Sequence, residues 1–541
     1  MMNKRTVSAG FGAAALILSA ACGQDLNVTN PNNPDVARAL ASPADVQSVA
    51  VSSFNSWFQS SQEIYPYQML VVTADALTAN FGNFGMRFNN VEPRIQYHNI
   101  ASDGDAPVAN TAWKDFYGAL GQANDALSAV SGGVQLPGGT AQYKALAQFS
   151  QAGALMQLGL NFDKAFVVDE KFNPSTSALP SLVPYDSVVK TAMTKFDAVI
   201  AASAGQSWSY DASVFPSANG TLTASRLNRL ANTLAALTLA YEPRNAADAA
   251  KVDWARVLKY ADKGIGTGSG GAPFDFVVIG DGGTNWYNHF MYYTDDPTWM
   301  RIDQHLVHQM NASVPDKFNG TIVAPTGTGD ARLGPGQDYQ FDGDLIGDAT
   351  RGIYMQSPYS HRRYYDVAED SPTSLEGPMP YLLAAESDLA KAEALVRTNG
   401  DLALAAQLIN NTRVTRGALA PMTASSGTAA LLAAITYERE VETMGTSAFT
   451  FFQLRHDDAL QAGTLRHLPV PAAELENDGL PIYTFGGVGL PVQNLAPVTP
   501  LRISSSLIAM STKTVALPNG RQLTLHIPAQ RPRVTKGPFK Y

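Results

Sequence analysis

The chain has 541 residues, enough for one large domain or two to three ordinary ones, so its size excludes little. Lys and Arg number 38 against 47 Asp and Glu, a net charge of −9 with no basic block, which argues against a nucleic-acid partner. Only 16% of the residues are charged, against about 25% in an average soluble chain, so Asn, Gln, Ser, Thr and Gly carry much of the surface polarity.

Lys4 and Arg5 precede an apolar run from Phe11 to Leu18, and Ser19, Ala20 and Ala21 lead into Cys22, the only cysteine in the sequence. The run is too short to cross a bilayer as a mature helix and reads as an export signal over residues 1–21. Cys22 is the expected lipidation site. A bacterial lipoprotein signal needs a Cys there, because its thiol takes the diacylglycerol and cleavage leaves it as the first residue. Ser19 is a departure, since Leu is commonest at that place. The acyl chains would hold the protein on a membrane without a spanning helix. Residues 24–33 combine Asn, Pro and Thr with almost no core-forming side chains, so 22–41 reads as a lipidated tether.

From Ser42 the chain reads as strongly helical, with Ser42 as N-cap and Pro43 at the first helical position. Apolar residues recur at helical spacing over 111–130, 141–160, 222–241 and 254–265. Val188, Val189, Ala192, Met193, Phe196, Val199 and Ile200 form one more stripe after Pro184, and Leu382, Ala385, Leu389, Ala392 and Val396 another after Pro380. Eight to eleven helices are expected, many in pairs with short punctuation and no fixed period. Between about 266 and 380 the sequence turns rich in Gly, Pro, Asp and aromatics, as irregular loops on a rigid scaffold do. Near the end, 514–517 and 522–527 flank Pro518-Asn519-Gly520, a hairpin pattern.

After Cys22 come Asp25-Leu26-Asn27-Val28 and Asn30-Pro31, then the acidic turn Thr73-Ala74-Asp75, then a helix with Trp113, Tyr117, Ala123 and Asn124. Tyr143 to Leu158, Pro184-Tyr185 with Val188 and Phe196, and Trp254 with Tyr260-Ala261 follow. Nearer the end stand Tyr381 to Glu393, Leu408-Ile409-Asn410 with Arg413 and Arg416-Gly417, and Tyr437-Glu438-Arg439-Glu440. Arg466 with Pro469-Val470-Pro471 and Glu474, then Thr484 to Gly487, complete the order. This order of motifs resembles the SusD/RagB-like family of outer-membrane nutrient-uptake lipoproteins. Met444-Gly445-Thr446 and Gln453-Leu454-Arg455 depart from the acidic pattern usual at that place, and the chain past about 490 has no counterpart.

The resemblance implies a mainly α-helical body over 42–490. Four tetratricopeptide-like helix pairs would form the scaffold, N-terminal helices running to about 265, a loop-rich insertion following over 266–380 and C-terminal helices over 381–460. A β-prone tail over 491–541 lies outside it. It also implies a cell-surface lipoprotein, not an enzyme, anchored to the outer membrane, that binds a glycan or other nutrient and hands it to a SusC-like TonB-dependent transporter. A helical-repeat scaffold that binds only protein is the alternative. No cofactor is expected.

Sugars present an apolar face and a rim of hydroxyls, so their sites need flat aromatics beside Asn, Asp, Gln or Arg. Residues 285–301 supply that mixture: Trp286, Tyr287, Asn288, Tyr292, Tyr293, Asp296, Trp299 and Arg301 are candidate contacts. Their spacing fits neither one helix stripe nor strand alternation, so some rings are expected outside and others at the seam between scaffold and loops. Phe81, Asn83, Phe84 and Arg87, in a loop that Gly82 and Gly85 make tight, are the second candidate group. Asp295-Asp296 is a local pair whose side chains diverge, a poor basis for glycosidase chemistry. His305 and His308 share a helix turn near Asp303 but lack a third ligand at metal-binding spacing. The segment 266–271 lacks the Lys-Ser/Thr ending of a phosphate loop.

Overall fold

The computed structural model describes residues 40–78, 84–172, 176–178, 180–268, 271–347, 350, 352–368 and 375–489, with the backbone of two strands near the C-terminus. The signal segment 1–21, Cys22 and the tether to residue 39 lie outside the described residues, as do Phe81 and Asn83.

Ten helices of eight residues or more stand among the described residues. They are α1 (Pro43–Ser61), α2 (Pro107–Ser131), α3 (Thr140–Asn161), α4 (Tyr185–Ser203), α5 (Ala224–Tyr241), α6 (Trp254–Ala261), α7 (Ala384–Arg397), α8 (Leu402–Arg413), α9 (Thr428–Glu442) and α10 (Phe449–His456). Each expected stripe is present. Prolines sit at the first turn of α1 and α2, and Thr223, Asp253 and Asp401 cap α5, α6 and α8 by accepting backbone N–H groups. Seven shorter helices of four to seven residues escaped the sequence reading, among them Tyr67–Thr73, His289–Asp295 and Gln304–Met310. Fewer than two turns carry too few apolar positions to show a period.

The long helices pack as four consecutive pairs, α1/α2, α3/α4, α5/α6 and α7/α8, and each second member also packs on the next pair. The first members touch one another in series, α1 on α3, α3 on α5 and α5 on α7. They form the inner row. Accordingly every residue is buried from Phe149 to Asn161 in α3, from Leu230 to Tyr241 in α5 and from Glu386 to Val396 in α7. These stripes read from the sequence like those of the outer helices, and only the packing shows that the inner row is covered on every side.

The insertion between α6 and α7 leaves and returns through one antiparallel ladder, β4 (Phe276–Asp281) with β8 (Glu376–Leu382). The other pairs are shorter: β1 (Leu77–Thr78) with β5 (Arg301–Ile302), β2 (Lys164–Ala165) with β3 (Val183–Pro184), and β6 (Tyr339–Phe341) with β7 (Tyr359–His361). Pro380 lies inside β8, and α7 starts only at Ala384. A proline tolerated on a two-stranded edge had looked like a helix start.

Buried charges fasten the insertion to the C-terminal helices. Arg332, 2% exposed, reaches Asp330 at 2.7 Å, Glu438 at 2.9 Å and Glu442 at 3.1 Å. Glu442 also holds Arg363 at 3.0 Å and Arg416 at 2.9 Å. Arg244 donates to Gly159 O at 2.5 Å, and Arg455 to Leu160 O at 2.9 Å and Tyr241 O at 2.6 Å, so two guanidinium groups meet the C-terminal carbonyls of α3 and α5.

In the C-terminal part, β9 (Thr512–Ala516) pairs antiparallel with β10 (Gln522–His526), the expected hairpin; its Pro518-Asn519-Gly520 turn lies outside the described residues. Among the described residues no helix is long and apolar enough to cross a membrane.

Candidate functional site

The stretch after β4 is shaped by Asp281. Its carboxylate accepts the backbone N–H groups of Thr284, Asn285 and Trp286 at 2.9 to 3.0 Å, and these donors outweigh partial burial and hold its pKa below the usual value. Gly282 and Gly283 follow with φ of +71° and +80°, a conformation that disfavours side chains. The turn sends Trp286 inward. It is 8% exposed, packed against Phe58 at 5.2 Å and Phe215 at 5.4 Å, while Asn55 and Gln59 of α1 donate to Asn285 O at 2.7 and 2.6 Å.

Three polar candidates are committed to structure in the same way. Asn288, fully buried, caps the helix His289–Asp295 by accepting Met291 N–H at 2.7 Å. Asp296 accepts the backbone N–H and hydroxyl of Thr298 at 2.8 and 2.7 Å. Arg301, 3% exposed, pairs with Asp342 and with Asp344 at 2.9 Å. Asp295 is buried against His361 Nδ1 at 2.6 Å and Tyr364 N–H at 2.5 Å, so Asp295 and Asp296 do not face a common cleft as a carboxyl pair.

The remaining rings come together. Phe84, from the second candidate group, lies 5.2 Å from Tyr293 and 6.3 Å from Trp299, its plane within 26° of the indole. Tyr293 stands at 90° to Trp299 and at 89° to Tyr292, with centroids 5.1 and 5.0 Å apart, and Tyr65 meets Phe84 edge-on at 5.7 Å. All five are half-buried. Further along, Tyr287 stacks on His289 at 4.2 Å, and Glu63 binds the Tyr287 hydroxyl at 3.1 Å and His289 Nδ1 at 3.3 Å. Tyr65, Glu63 and His289 were missed by the sequence reading, because they enter from a connection and a helix too short to register. Arg87 is exposed on the short helix Met86–Asn89. Gly85 has φ +74°, and a Cβ there would lie 2.5 Å from Val108 Cγ2, so only glycine lets this segment approach α2.

Two groups result, the half-buried rings Tyr65, Phe84, Tyr292, Tyr293 and Trp299 in mutual contact, and Tyr287 on His289 with the Glu63 carboxylate. They suit stacking on an apolar ring face and hydrogen bonding to its rim. His305 and His308 turn apart, His305 to Asp316 at 2.7 Å and His308 to Val314 O at 2.6 Å, while Asp303 caps their helix.

No family model matches the sequence, and no curated protein matches it. Solved structures do match the fold. A SusD superfamily protein from Parabacteroides distasonis shares 14% identity, with 80% of this chain and 97% of that one covered at a TM-score of 0.56. A SusD homolog from Bacteroides thetaiotaomicron shares 15% identity over 80% and 96% at 0.53. The surface glycan-binding protein A of Bacteroides uniformis shares 14% over 80% and 97% at 0.51. Four stacked helix pairs, an insertion returning to the first of them, and this run of neighbours identify the chain as having the SusD-superfamily fold.

Proposed function

We propose that the protein is a lipid-anchored surface protein that binds a glycan on the rings of Phe84, Tyr293 and Trp299 and delivers it to a SusC-like TonB-dependent transporter. The observation that carries the reading is the convergence of these three half-buried rings from two distant segments. Aromatics gathered on a surface that no core requires are what stacking recognition uses. Tyr65, Tyr292, Tyr287, His289 and Glu63 supply the polar and aromatic surround. The names of the neighbours with this fold, which include a surface glycan-binding protein and a SusD-like carbohydrate-binding protein, support the ligand class. Cys22 supplies the anchor and the fold suggests the transporter partner.

The test is calorimetry with the best ligand from an oligosaccharide array. Trp299→Ala and Phe84→Ala should each weaken binding by about tenfold or more, the loss of one central ring contact, roughly 1–3 kcal/mol. Both variants should keep the wild-type melting profile. Unchanged affinity in both would sink the glycan site and favour a scaffold that binds only protein.

A further inference from the structure

Asp75 and Asp303 stand at the roots of the two segments that carry the rings. Asp75 comes just before β1, from which the chain runs on to Phe84, and Asp303 follows β5, just after Trp299. The β1–β5 pair and a bond from Asp303 N–H to Ala76 O at 3.0 Å hold the roots together. The two carboxylates line a cavity of about 40 Å³ with Glu92, Gln304, Lys317 and Gln356. That is room for a single small ion and a water or two.

The wall is unbalanced in charge and in hydrogen bonds. Arg94 pairs with Asp75 at 2.6 Å and Lys317 with Glu92 at 2.8 Å, which leaves Asp303 in no ion pair among the described residues, with Arg94 acting on it only at longer range. It accepts only the His305 backbone N–H, at 2.9 Å, among the bonds described. Gln304, 3% exposed, gives its Nε2 to Pro315 O at 2.8 Å, but its Oε1 has no partner among the described residues. Gln356, also 3% exposed, leaves its Nε2 unpartnered. Burial pushes the Asp303 carboxyl well above its usual range and the nearby Asp75 adds to this, as happens to an anion without a counter-ion. Gln304 and Gln356, each with an unpartnered buried amide atom, and Asp303 line one cavity, and each carries a desolvation cost that a bound group would remove.

We propose that this cavity binds one small monovalent cation, of the Na⁺ or NH₄⁺ class, ligated by Asp303, Asp75 and Gln304 Oε1, with a bound water accepting from Gln356 Nε2. With all three carboxylates ionised, as a bound cation would favour, they exceed Arg94 and Lys317 by one charge, while His305 is turned to Asp316, so a single positive charge balances the site. Arg94 and Lys317 oppose a second one. Asp75, Glu92 and Asp303 line the cavity, but among the described residues no three His, Cys, Asp or Glu side chains are arranged as a metal-holding group of the kind a divalent centre needs. The cation would clamp the bases of both ring-bearing segments.

The experiment is thermal unfolding of the full chain at constant ionic strength, with the chloride of Na⁺, K⁺, NH₄⁺, Ca²⁺ or tetramethylammonium. The Tm should climb by about 1–2 °C per tenfold rise in the preferred small monovalent ion and stay flat in tetramethylammonium, which the cavity excludes. Asp303→Asn keeps a good helix cap and should fold, but lose the dependence. Trp299→Ala should retain it, so failure of the glycan site leaves this result standing. Equal Tm in every chloride, a response to Ca²⁺ alone, or an unaltered slope in Asp303→Asn would overturn the proposal.

Discussion

His456 lies between Glu393 and Asp457, its Nε2 3.1 and 3.0 Å from their oxygens. Burial opposes its charge, but the Glu393 carboxylate and then Asp457 outweigh it and lift the pKa to about 9. His467 is the opposite case. Burial, reinforced by Arg244 and Arg455, pushes it well below the usual histidine value, and neither ring nitrogen has a partner among the described residues. The unfolded ring takes a proton near pH 6.5, so His456 stabilises the fold fully below that and loses its contribution, about 3 kcal/mol, as pH rises through 9. His467 contributes fully above pH 6.5, and its contribution falls by about 1.4 kcal/mol per unit as pH drops, because the unfolded state takes a proton the folded one refuses. Urea unfolding from pH 5 to 10 checks both. His467→Phe, which keeps the contact with Phe485 at 4.6 Å, should flatten the acid side of the curve relative to wild type. His456→Gln should flatten the alkaline side. Which way each imidazole titrates was invisible in the sequence, since it depends on Arg244 and Glu393, far along the chain. The same holds for the rings: composition marked 285–301 as aromatic, but that Trp286 goes into the core behind the Asp281 turn while Trp299 is only half-buried shows in the fold alone.

The helices differ in how closely they approach, and glycines record it. A Cβ on Gly153 of α3 would lie 2.1 Å from Trp57 Nε1. Trp57 cannot retreat, being fully buried and edge-on to Phe149 at 4.9 Å and Tyr381 at 5.6 Å. Gly121 of α2 has nothing within 4 Å of its Cβ position. Gly153→Ala should therefore cost about 1–3 kcal/mol through overpacking, whereas Gly121→Ala should gain about 0.5–1 kcal/mol of helix propensity. Chemical denaturation of the two variants reads the difference directly, and equal responses would mean that α1 and α3 do not meet through Trp57 as described. At this scale the sequence was most informative. Long stripes such as those of α2 and α4 were legible because one face stays wet. The short helices carrying Tyr292, Tyr293 and His305 were not, since a turn or two in a loop is set by local caps such as Asn288 and Asp303.

Over the whole molecule, the order of motifs was readable while the physical work of those motifs was not. Arg413, Arg416, Glu438 and Arg439 marked a likeness; folded, they are parts of buried ion networks. Glu442, between them, meets Arg332, Arg363 and Arg416, the first two from the insertion and the third from just past α8. The insertion is tied at three places: the β4–β8 ladder at its base, the docking of Trp286 onto α1, and Arg332 against Asp330, Glu438 and Glu442. Removing Arg332 alone strands buried carboxylates, a loss of about 3–5 kcal/mol, whereas neutralising Glu438 with it should recover part of that loss. The damage should also be local, because the ladder and the α1 contact do not depend on Arg332. In Arg332→Met, hydrogen exchange should accelerate across 330–341 and α9 while α1 and α3 keep their protection. Arg332→Met/Glu438→Gln should restore protection of α9 in part. Uniform acceleration in the single variant would mean instead that the insertion and the helical stack unfold as one unit, and that the network is no separate fastening.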